Sequence, residues 1–114
     1  MARFCKCDRL RKKRDFDRVR RGGSRVATDA FVISIADAPG KRLGIVVGGN
    51  VGTAVVRNRL KRVVREYFRV CRDRFPWGDC VVIARPKAAR LKNAEMREQL
   101  ERALAKHQKQ YVKR

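Results

Sequence analysis

The sequence predicts one α+β domain. Three observations carry that prediction. Apolar residues alternate along residues 30–36, and β-branched runs fill 43–48 and 79–85, as strands require. Residues 53–72 and 93–104 instead repeat their apolar residues at helical spacing. The 114 residues suit a single domain with a modest core, and neither an internal repeat nor a linker divides them.

Taken in order, the chain opens with a basic stretch in which residues 1–8 are expected to form a flexible arm that orders on binding. Arg14-Asp15-Phe16-Asp17-Arg18-Val19-Arg20 reads as a short helix with Phe16 and Val19 on one side, ended by Gly22-Gly23. Residues 24–28 and 30–36 form paired strands turning near Asp29, with Phe31, Ile33 and Ile35 on one face. Pro39-Gly40 marks a turn, and Leu43-Gly44-Ile45-Val46-Val47-Gly48 is expected to be a buried strand. The glycine-rich stretch that follows has neither the Walker lysine spacing nor the dinucleotide pattern, so it reads as a turn.

Thr53 is the expected N-cap of the long helix. Val56, Leu60, Val63, Val64, Tyr67 and Cys71, with Phe68 and Val70, fall in one arc of its circumference. Arg57, Arg59, Lys61, Arg62, Arg65, Arg69 and Arg72 fill the rest. Glu66 is the only acid, one turn after Arg62 and placed to offset that charge. A face of one sign costs self-repulsion, and arginine forks suit phosphate oxygens. Asn58, inside the basic run, can donate and accept at once, as recognition of a base or ribose requires. The strand at 79–85 then leads to a basic loop and a last helix, with Asn93 as expected cap and Met96, Leu100, Ala103 and Leu104 on its apolar side.

Thirty-one basic residues against eleven acidic ones give a net charge of +20, which implies an anionic partner, nucleic acid first. No run approaches a transmembrane length and no signal-peptide core is present, so a cytoplasmic location is expected. Cys5 and Cys7 are one residue apart, which is not a zinc-knuckle spacing, and Cys71 and Cys80 fall in apolar patterns; reduced thiols are expected. The acids are scattered and His107 is the only histidine, so neither a carboxylate pair for Mg²⁺ nor a nucleophilic triad can be assembled. No catalytic residue and no metal ligand is expected in this chain.

The run Val51-Gly52-Thr53-Ala54-Val55-Val56-Arg57-Asn58-Arg59-Leu60-Lys61-Arg62 resembles the signature of the bacterial ribonuclease P protein subunit family, which carries an Arg-Asn-Arg motif just inside a long helix. Leu10-Arg11-Lys12-Lys13-Arg14-Asp15-Phe16 is similar to the family's opening motif, and Asp79-Cys80-Val81-Val82-Ile83-Ala84-Arg85-Pro86 to its late strand. The resemblance spans about residues 9–106, leaving 107–114 as a tail expected to fray.

That resemblance implies a two-layer α/β sandwich in the order α-β-β-β-α-β-α. Its four-stranded mixed sheet would have a left-handed crossover through the long basic helix, against the usual hand. It also implies an endoribonuclease whose RNA subunit is the catalyst. That subunit removes the 5′ leader of precursor tRNA by Mg²⁺-dependent hydrolysis, with Mg²⁺ held mainly by the RNA. By position, Arg57, Asn58, Arg59, Lys61, Arg62 and Arg65 would face the ribonuclease P RNA, and Phe16 would line the leader cleft. From the residues alone, core packing is an equal reading of Phe16.

Three positions depart from the family pattern. Arg20 stands for a second aromatic and would stack its guanidinium plane on a base; Ser34 stands for a tyrosine; Gly49-Asn50 stand for two lysines. The rival reading is a ribosomal or general structural RNA-binding protein with no catalytic assembly. Size and charge fit it equally well.

Overall fold

The computed structural model describes residues 9–111, with side chains through Gln108, so the arm expected at residues 1–8 lies outside the described residues. Helix α1 (Lys13–Gly22) is followed by strands β1 (Ser24–Ala27), β2 (Phe31–Ala36) and β3 (Lys41–Val46). Helix α2 (Ala54–Val70), strand β4 (Gly78–Ala84) and helix α3 (Asn93–Tyr111) complete the expected order. Short 3-10 turns at Arg72–Arg74 and Pro86–Arg90 flank β4.

The mixed sheet runs β1-β2-β4-β3, antiparallel except for the β3–β4 pair. Strand β4 is central: Val82 pairs with Ile33 on one side and Ile45 on the other. Alternation sorts the side chains between two faces. On one face Phe31, Ile33, Leu43 and Val82 pack beneath Leu60, Val64 and Phe68 of α2 and Met96 and Leu100 of α3. Phe75 closes this core with edge-to-face contacts to Phe68 and Tyr67, centroids 4.8 and 5.9 Å apart. Sheet and α2/α3 layer make the two-layer sandwich. Among the described residues the other face carries α1 and Leu10 just before it, in a small cluster of Val19, Leu10 and Val81 with Phe16 and Ile83.

Three local expectations are corrected. Strand β3 is a half-covered edge strand, since β4 pairs with one side only. The other side meets a single parallel bridge from Arg9, with the Leu10 N–H donating to the Leu43 carbonyl at 3.0 Å. Val70, at the margin of the apolar arc of α2, is 61% exposed. Asn93 is the first residue of α3, not its cap; the Lys92 N–H donates to Glu95 Oε1 at 2.8 Å, which closes that helix end instead. Helix α3 is described through Tyr111, and His107 is buried with Nε2 3.0 Å from Ser24 Oγ of β1. Thr53 does cap α2, accepting from the Val56 N–H at 3.4 Å.

Candidate nucleic-acid interface

The basic face of α2 divides into free and engaged arginines. Asn58 and Arg62 are exposed, while Lys61 and Arg65 are half-exposed and turn toward the α1 side of the sheet. Arg57 is half-buried, and its Nε is buried without a hydrogen-bond acceptor. Arg59 is engaged by the fold: Nη2 donates to the Leu91 carbonyl and Nε to Asn93 Oδ1 at 3.3 Å, tying α2 to the start of α3. Glu66 pairs with Arg69, not with Arg62 as the sequence suggested, so the charge of Arg62 is not offset from within the helix. That pairing holds the Glu66 carboxyl below its ordinary range, through the hydrogen bond from Arg69.

Lys61 and Arg65 share an open pocket of about 340 Å³ with Phe16, Gly44, Leu10 and Arg9. Phe16 lies flat enough on β3 that a Cβ at Gly44 would come within 2.5 Å of its Cε1. Glycine at 44 therefore seats the ring. Phe16 is half-buried against the sheet and also lines the open pocket, so it is neither a sealed core residue nor a fully exposed one. Arg20 is exposed and not brought there; it borders a separate depression with Asp17, Arg21 and Arg25. Ser34 is buried on the same face as Val81, its partner in the sheet, so a small residue stands there where the resemblance expects a tyrosine, and it does not line the pocket.

Sequence reasoning missed Asp79. This β4 carboxylate is fully buried and binds two guanidiniums: Arg42 Nε to Oδ1 at 2.8 Å and Nη2 to Oδ2 at 2.7 Å, with Arg18 Nη2 also on Oδ2. Burial pushes its carboxyl up, but the hydrogen bonds and charges of Arg42 and Arg18 outweigh that and hold it below the usual range. Arg42 is shifted the opposite way, further toward its charged form, chiefly by the same hydrogen bond. Because Arg18 belongs to α1 and Arg42 to β3, Asp79 clamps the helix to the pocket's strand. The only sequence signal was an acid at the head of an apolar strand, which reads as an ordinary strand end.

Among the described residues no three His, Cys, Asp or Glu side chains converge as metal ligands, and both oxygens of Asp79 are taken by arginines. These acids do not fit a Mg²⁺ site. Among them, too, no helix is long and apolar enough to cross a membrane.

The model of the Ribonuclease P family matches residues 4–108. The chain belongs to the ribonuclease P protein family. It is 42% identical over 103 residues to the ribonuclease P protein component of Syntrophobacter fumaroxidans, covering 87% of each chain. The corresponding component of Staphylococcus epidermidis is 36% identical over 102 residues, with 87% of this chain and 89% of that one covered. The solved Staphylococcus aureus RNase P protein superimposes with a TM-score of 0.83 at 34% identity, covering 88% of this chain and 94% of that one. For the Thermotoga maritima protein the values are 0.78, 38%, 86% and 96%. The chain thus shares the α+β fold of these solved proteins.

Proposed function

We propose that this chain is the RNA-binding subunit of a ribonuclease P. In this reading Arg57, Asn58, Arg59, Lys61, Arg62 and Arg65 meet the ribonuclease P RNA, and Phe16 stacks on a base of the precursor tRNA 5′ leader. Arg20, about 6 Å farther along α1, meets a longer leader beyond the pocket. The RNA subunit carries the hydrolysis, with Mg²⁺ held mainly by the RNA, and the protein's part is to bind and orient. One observation supports this best: Lys61 and Arg65 of the basic helix line the same pocket as Phe16, so one cationic wall can serve both RNA strands.

Reconstitution tests the reading. Protein and a bacterial ribonuclease P RNA together should cleave precursor tRNA at lower Mg²⁺ than the RNA alone, and the protein freed of RNA should cleave nothing. Affinity for the RNA should fall with salt on a log–log slope of several, about 0.7 to 0.9 per phosphate contacted. A slope near −1, with no gain in cleavage, would sink the proposal.

A further inference from the structure

Trp77 is the chain's only tryptophan, and it stands outside everything the proposed function uses. It is 68% exposed, an unusual position for the largest aromatic side chain. Its backbone is nonetheless fixed. Pro76 precedes it, and Gly78 follows with φ +131°, where a Cβ would strike the Ala36 carbonyl at 2.3 Å. The Gly78 N–H donates to the Gly40 carbonyl at 2.7 Å. The ring therefore projects from a rigid corner.

The surroundings are cationic. Lys41 Nζ sits 5.1 Å from the ring centroid, over one face, and also donates to the Arg72 carbonyl at 3.1 Å. The Arg72 guanidinium returns a 3.4 Å bond to the Lys41 carbonyl. Asp73 is the acid acting on Lys41, and its influence is weaker than that of Arg72. Arg72 stands in the 3-10 turn just past the C-terminus of α2, the helix that carries Asn58, Arg62, Arg65 and Arg69. Trp77 thus lies at the far end of the surface already assigned to RNA.

An apolar protein partner would want a continuous patch, but the other large exposed hydrophobics among the described residues are two single valines, Val55 and Val70, and only Val70 is at the C-terminal end of α2. A lone, rigid indole with a cation on one face and the other open fits a flat π-system that arrives on a polyanion. We propose that Trp77 is a stacking platform for an unpaired base of the ribonuclease P RNA, at the end of the α2 basic stripe. This rests on the RNA-binding reading above.

The single tryptophan makes the test direct. Titrating the full-length protein with a bacterial ribonuclease P RNA should quench its fluorescence, saturating with binding measured separately by filter retention. Trp77→Ala should weaken that binding about 5- to 100-fold, Trp77→Tyr should restore most of it, and Trp77→Leu should not. Circular dichroism should show all three variants folded. Binding with unquenched fluorescence and parental affinity in Trp77→Ala would overturn the platform while leaving the RNA-binding reading intact. Failure of the parent protein to bind the RNA at all would overturn both. Quenching by precursor tRNA alone, without the RNA subunit, would place the base on the substrate and overturn the assignment. Self-association abolished by Trp77→Ala at unchanged RNA affinity would give the ring to a second copy of the chain and overturn the platform as well.

Discussion

The two faces of the sheet are built to different rules. Beneath α2 and α3 the face is a dry apolar core in which Phe31, Ile33, Leu60, Phe68 and Leu100 are almost wholly buried. Beneath α1 the cover is a single short helix. There the sheet carries a buried carboxylate, a buried serine, a glycine seat and an open cationic pocket. So small a cover leaves the face unsealed, and the helix is held to it by the Arg18–Asp79–Arg42 clamp and by the Phe16 ring seated on Gly44. Most of the apolar burial belongs to the first face and the open pocket to the second.

The contrast is broken most severely by Phe68→Ala, which removes the ring that meets Phe75. A loss of about 3 to 5 kcal/mol is expected, seen as a drop on the order of 15 °C in thermal unfolding. A loss under about 1 kcal/mol would show that the α2/α3 face is not the main core. Asp79→Asn should cost about 2 kcal/mol, less than a sealed ion pair would, because Arg18 and Arg42 can turn their half-exposed side chains to water. The native carboxyl is held below its ordinary value of 3.8, so its contribution is complete above that value and is lost as pH falls through it toward the native one. Urea unfolding at pH 7 and below pH 4 should therefore show the variant's deficit shrinking in acid.

Phe16→Ala sharpens the comparison from the binding side. It should weaken precursor tRNA binding by about 1 to 3 kcal/mol for long leaders and leave mature tRNA unaffected. Equal losses for both substrates, with a lowered melting temperature, would return Phe16 to the core. The smallest effect is expected on the covered face, at its rim. Burial lowers the pKa of His107, so the unfolded chain takes up a proton near pH 6.5 before the native one does. Stability should fall slightly as pH drops through that value, and His107→Gln should abolish this dependence.

Periodicity made the elements legible. The apolar arc of α2, the alternation at Phe31, Ile33 and Ile35 and the cap at Thr53 each follow from spacing that one strand or helix carries by itself. What spacing could not convey were partnerships between distant segments. Arg59 looked like a free cation, and its bonds to Leu91 and Asn93 depend on where α3 starts. Asp79 looked like a strand end, and its two arginines come from α1 and β3. Strand β3 looked buried because its composition matches a central strand, yet sheet order placed it at the edge. Phe16 and Lys61 meet only because the connection from β3 returns α2 along the sheet.

That sheet order also governs when the molecule can form. The central strand is the last of the four to be made: Val82 joins Ile33, 49 residues earlier, and Ile45, 37 residues earlier. Until residues 78–84 have left the ribosome, β3 has no strand to pair with beyond the bridge at Arg9, and the hairpin of β1 and β2 stands alone. Contacts so far apart in sequence must overcome their loop-closure entropy before they stabilise anything, which makes for slow, late and concerted folding. A chain ending at residue 77 would hold the whole basic helix with no completed sheet to support it.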